Sequence, residues 1–203
     1  MRNTTAFSMP CYTKLLKFFL ALLGALILLV SSAHADGINV NNTEIRLNDG
    51  AYQLRANFSI NLNYAVQQAL SHGVNIYFVS EFSVTRSRWY WLDAEVAHSA
   101  QTSKLYYNVL TRQYRISRGA LFQSFASLDD ALAALQRQTS SSIAPEVLAK
   151  RGSYVASARL RLDIEQLPKL LQVNALTGKD WDLDSDNYRW VLSPADIRPT
   201  EAE

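Results

Sequence analysis

The chain has 203 residues, with 20 Lys and Arg against 18 Asp and Glu, a single cysteine and seven glycines. A formal charge of +2 excludes the strongly basic domain by which nucleic-acid binding shows itself. Seven scattered glycines leave no Gly-rich phosphate loop or dinucleotide fingerprint.

The N-terminus carries Arg2, Lys14 and Lys17, then the apolar run from Phe18 to Val30, then Ala33-His34-Ala35. A charged start, a short apolar core and a small-x-small exit are the pattern of a secretory signal peptide. The run falls well short of the roughly 20 residues that span a bilayer. The expectation is a signal peptide over 1–35, cleavage after Ala35 and a mature periplasmic chain starting at Asp36. The alternatives are an uncleaved anchor in the inner membrane and a translation start at Met9. Cleavage removes Cys11 and three basic residues, so 17 Lys and Arg then face 18 Asp and Glu, net −1. The mature chain has no thiol, hence no disulfide and no thiolate metal site, and its stability rests on packing.

From Ile38 onward the apolar pattern has mostly period two. Ile45–Leu47, the turn Asn48-Asp49-Gly50 and Tyr52–Ile60 read as a β-hairpin, because Asp-Gly supplies the positive φ values of a tight turn. Asn61 is expected to cap a helix with the stripe Leu62, Val66, Ala69 and Leu70, stopped by Gly73. Val74–Val84 and Trp91–Leu110 read as strands. Thr111-Arg112 reads as a turn and Gln113–Ser117 as a partner strand broken by Gly119. Ser127 with Asp130 resembles a capping box ahead of a second helix with the stripe Leu128, Leu132 and Leu135. Thr139–Ser142 is loop-like, and Pro145–Lys150 gives one helical turn before Gly152. Tyr154–Ile164 is the cleanest alternating strand. The fold class expected is mainly β, an antiparallel sandwich-like sheet with two short helices, with α+β as the runner-up. The domain plan is a single β-rich domain over 36–193 and a disordered tail over 194–203.

The densest chemistry is an arginine and aromatic cluster: Arg86, Arg88, Trp89 and Trp91, with Tyr106, Tyr107, Arg112, Tyr114 and Arg115 downstream. Guanidinium groups beside aromatic rings suit an anion, a sugar ring or a protein hot spot. The competing reading is a sheet face where these groups merely stack. Asp180, Asp182, Asp184 and Asp186 have the spacing that opens a calcium loop, but Ser185 stands where the loop needs Gly and Val191 where it needs Glu. A solvated acidic turn is the expectation, with no metal and no cofactor. His72 and His98 form no zinc motif. No catalytic residue is assigned, because no local motif of nucleophilic catalysis is present.

Asn75–Phe78, Arg88–Trp91, Tyr107–Arg115, Phe122–Phe125 and Leu171–Leu176 with Asp180-Trp181 resemble a proteobacterial family of exported proteins, domain of unknown function 4390. The likeness runs from about Ile45 to Trp190. The resemblance implies no activity and no catalytic residues. It implies a context, genes lying beside those for two-component sensor kinases. The functional expectation is a periplasmic, non-enzymatic binding or accessory module with an envelope protein as partner. The alternative is a periplasmic hydrolase whose site is assembled only by the fold.

Overall fold

The computed structural model divides the chain into two units, Met1–Ala35 and Asp36–Glu203. It describes residues 37–88, 92–148, 152–192 and 197–199, all in the second unit.

The fold is mainly β. β1 (Gly37–Asn48) and β2 (Ala51–Asn61) form the expected hairpin. Asp49 and Gly50 turn it with φ of 49° and 75°, the two positive values a type I′ turn requires. A bulge at Asn41 lies between the pairs Val40↔Phe58 and Asn42↔Asn57. It reconciles two apolar phases of one strand, since Ile38 and Ile45 are both buried and a regular strand would place them on opposite faces. β7 (Arg137–Thr139) pairs with β2, and β10 (Ile197–Pro199) pairs parallel with β1, giving a four-stranded sheet β10-β1-β2-β7. Within the tail expected to be disordered, residues 197–199 are thus a short strand.

The second sheet has the order β6-β5-β4-β3-β8-β9, from β3 (Ile76–Arg86), β4 (Ala94–Asn108), β5 (Gln113–Arg118), β6 (Leu121–Phe125), β8 (Tyr154–Leu162) and β9 (Tyr188–Leu192). It is antiparallel throughout. Phe58, Leu54 and Ile45 from the small sheet and Phe78, Phe82, Val84, Leu105 and Leu160 from the large one join a single buried core. Each sheet therefore buries one face, as alternation in β2, β3 and β8 foretells.

Among the described residues four α-helices accompany the sheets rather than two. In α1 (Tyr64–Ser71), Asn63 and not Asn61 is the cap: its side chain accepts from the Val66 N–H at 3.0 Å, because Asn61 is still paired in β2. Val66 and Leu70 are fully buried. In α2 (Leu128–Leu135), Ser127 caps through the Asp130 N–H as expected, and its hydroxyl donates to the Asp130 carboxylate. α3 (Pro145–Leu148) is one turn, and α4 (Lys169–Thr177) has an apolar pattern too weak to announce it. Thr139–Ser142 is not a free loop. Thr139 ends β7, and buried Ser140 accepts from the Leu54 N–H at 3.0 Å and donates to the Ser141 carbonyl.

Candidate functional site on the outer face of the six-stranded sheet

The antiparallel β3–β4 hairpin decides the fate of the arginine and aromatic cluster. Arg86 pairs with Ala94 at one end of β4, whereas Tyr107 pairs with Tyr114 at the other. At about 3.3 Å per residue the two ends are roughly 40 Å apart. The strands are neighbours, yet their direction keeps the two halves of the cluster from sharing one surface. Arg86 lies against Gly152, where a Cβ would meet its Cγ and Cδ at 3.3 Å. Arg88 donates its N–H to the Asp93 carboxylate at 3.3 Å. Trp89 and Trp91 lie outside the described residues.

Period-two alternation divides the distal half as well. Tyr107 and Tyr114 pack on the core side, with ring centroids 4.9 Å apart. Arg112 sits exposed in the β4–β5 turn with φ of 53°. Arg115 faces outward opposite Tyr106 and lies over the Phe122 ring at 5.3 Å. Lys104 lies over the Tyr106 ring at 4.9 Å. The group that the fold does assemble is therefore Lys104, Tyr106, Arg115 and Phe122, of which the sequence reading places Tyr106 and Arg115 in the cluster. The signal for Lys104 is parity: it shares a phase with Tyr106 on β4, and the register sets Arg115 opposite Tyr106.

The same outer face continues across β3 and β8 as a polar lattice. Arg161 donates to Glu81 at 3.1 Å, and Arg159 grips Asp184 through Nε at 2.9 Å and through a terminal nitrogen. That bond and the nearby charge of Asp184 raise the Arg159 pKa above its ordinary value. Ser83 and Ser157 share a hydroxyl hydrogen bond at 2.8 Å. Ser83 stands opposite His98, whose Nδ1 is 4.0 Å from the Glu95 carboxylate. Glu81, Ser83, Glu95, His98, Arg159 and Asn187 line a depression of about 140 Å³ here. It is shallow, and the His98 and Glu95 side chains are 53% and 57% exposed.

The aspartate run resolves the same way. Trp181 and Leu183 point into the core, leaving the alternating Asp182 exposed and Asp184 on Arg159. The Asp186 N–H donates to Asp184 at 3.0 Å, with Asp186 at φ of 55°. Among the described residues no group of three His, Cys, Asp or Glu converges as metal ligands would. His72 ends α1, its Nδ1 at 2.7 Å from the Gln68 carbonyl.

No curated protein and no solved structure matches the chain. A family model described as a domain of unknown function, DUF4390, matches residues 35–191, which takes in the whole outer-face site and both sheets except β10 and the last residue of β9, Leu192. The chain belongs to the DUF4390 family.

Proposed function

We propose that the protein is an exported, periplasmic binding or accessory module of a proteobacterial cell envelope. Its contact surface is the cation–aromatic patch Lys104, Tyr106, Arg115 and Phe122. The observation that carries this reading is the patch itself: two cations held over two rings on a solvated sheet face. Stacked Arg and Lys present fixed positive charge to carboxylates while the rings supply contact area at low entropic cost. An acidic segment of an envelope protein fits that chemistry, and the extracytoplasmic part of a sensor kinase is the partner proposed. Supporting export, the N-terminal leader pattern ends at Ala35, where the family match also begins. No described helix is long and apolar enough to cross a membrane.

The test is capture from periplasmic extract with wild type, Arg115→Ala and Tyr106→Ala, each with its melting temperature. Loss of a partner at unchanged melting temperature supports the patch, and equal capture by all three refutes it. N-terminal sequencing of the envelope-fraction protein checks export: Asp36 as first residue is expected, and an intact leader in the membrane favours the anchor.

One observation favours a hydrolase as the second reading. Ser157, Ser83, His98 and Glu95 run in a row across β8, β3 and β4. Serine, histidine and carboxylate in that order are the parts of an activated nucleophile. A fluorophosphonate probe tests it. Labelling of Ser83 that disappears in His98→Ala would replace the binding reading, and no labelling leaves the row as a polar ladder.

A further inference from the structure

Among the described residues the two sheets end in four edges, and three of them are blunted. β7 and β10 are three residues long, the part of β1 that runs on past β10 has a bulge at Asn41 and carries Glu44, and β9 carries Arg189. The part of β4 that runs on past β5 has a bulge at Val96 and an exposed Glu95. Short strands, charges and bulges are the usual protection of a sheet edge against pairing with another chain. β6 has none of them. Leu121-Phe122-Gln123-Ser124-Phe125 contains no charge and no proline, and its register with β5 runs unbroken from Arg118↔Leu121 to Tyr114↔Phe125. Leu121 is 79% exposed and Phe122 62%. Beside them a cleft of about 110 Å³ is lined by Ile116, Arg118, Leu121, Phe122 and Gln123.

We propose that β6 is a self-association edge, pairing antiparallel with β6 of a second copy about a twofold axis through Gln123. The pattern of the strand selects this occupant. Under that axis Leu121 meets the partner copy's Phe125 on the core side, beside the cleft, and Phe122 meets the partner copy's Ser124 on the outer side. Gln123 meets its own counterpart, and a glutamine amide both donates and accepts, so it satisfies itself across a twofold. No like charges oppose one another. The two Arg115 side chains stand three strand spacings apart, roughly 14 Å, beyond the Debye length of about 8 Å at physiological ionic strength. Five residues of edge bury far less than the roughly 800 Å² per partner of a standard interface, so the dimer is a weak one. It joins the two six-stranded sheets into one and sets the two Lys104–Tyr106–Arg115–Phe122 patches side by side. It does not depend on what those patches bind.

The test is sedimentation velocity of the full chain, purified as cells make it, across about 1 to 500 μM. Wild type is expected to shift from monomer to dimer with concentration. Gln123→Lys and Gln123→Glu each place like charges on the axis and are expected to stay monomeric throughout, with melting temperatures close to wild type because residue 123 is solvent-exposed. An equimolar mixture of the two variants is expected to regain the dimer, since Lys then faces Glu. If either variant unfolds, Phe122→Ser and Ser124→Lys take their place at the same edge, each expected to abolish the dimer. A wild type that stays monomeric to 500 μM overturns the proposal and leaves the edge for a different chain. Dimers that persist in Gln123→Lys, or monomers that persist in the mixture, overturn it equally.

Discussion

Glu95 and His98 lie on the same face of β4, 4.0 Å apart, although they stand three positions apart along a strand. Period two would put them on opposite faces. The register explains it: Val84 pairs with Ala97 and Thr85 with Glu95, so Val96 is an extra residue in the ladder. The bulge keeps Glu95 outward with His98 and Ala97 inward on the core.

Deleting Val96 therefore restores a regular ladder without turning any neighbour over. It is expected to cost about 1–2 kcal/mol, the contact of one half-buried valine. Deleting Ala100 instead moves His98 onto the core face and Ala97 outward, because one residue inverts the side-chain parity of everything before it. That deletion is expected to abolish cooperative unfolding in urea. Equal loss in the two deletions would contradict the bulge.

Phe58 and Phe78 fill the interior from opposite sheets and are 1% and 0% exposed. With no disulfide in reserve, each Phe→Ala change is expected to lower stability by about 3–5 kcal/mol. Urea denaturation measures this. Phe122→Ala on the exposed edge of the same sheet is expected to stay within about 0.5 kcal/mol.

Arg118 points to the core side, donating to the Ser103 hydroxyl at 3.0 Å and the Ala134 carbonyl at 3.3 Å, both neutral partners. Burial lowers its pKa below the ordinary arginine value. The folded state thus disfavours the cation, and this cost is present at every pH below the folded-state pKa. Stability regained by losing the proton appears only at strongly alkaline pH, so Arg118 adds no pH dependence near neutrality. Arg118→Met keeps the packed stem and removes the half-buried charge. It is expected to stay within about 1 kcal/mol of wild type, while Arg118→Ala loses about 2 kcal/mol through the missing stem. A pH-dependent difference between pH 6 and 9 in the Met variant would count against this account.

Local caps and turns give a third scale. Asn63→Ala and Ser127→Ala each remove a side-chain acceptor from a helix start, and each is expected to cost about 1 kcal/mol. Gly50→Ala forces a Cβ into φ of 75° and is expected to cost about 1 kcal/mol. Asn61→Ala is expected to be nearly neutral, since the cap lies at Asn63. Thermal melts of the four variants rank these effects.

What the sequence determined by itself is local. Alternation located β2, β3 and β8 and told which of their side chains are buried. Asp49-Gly50 fixed the first hairpin, and Ser127 with Asp130 the start of α2, because turn and cap chemistry act over three or four residues. β6 escaped notice because Leu-Phe-Gln-Ser-Phe lacks a clear period. α4 escaped because Leu170 and Val173 are exposed and its apolar stripe is faint. The site was decided by tertiary structure. An antiparallel sheet was legible, but nothing in the sequence says that β4 pairs with β3 over most of its length, which carries Arg86 away from Arg115. Nothing says that Arg159 reaches Asp184, 25 positions on, or that Ser157 meets Ser83 across 74. Those pairings follow from strand order. They are set by how two sheets bury a common core, which no short window of sequence contains.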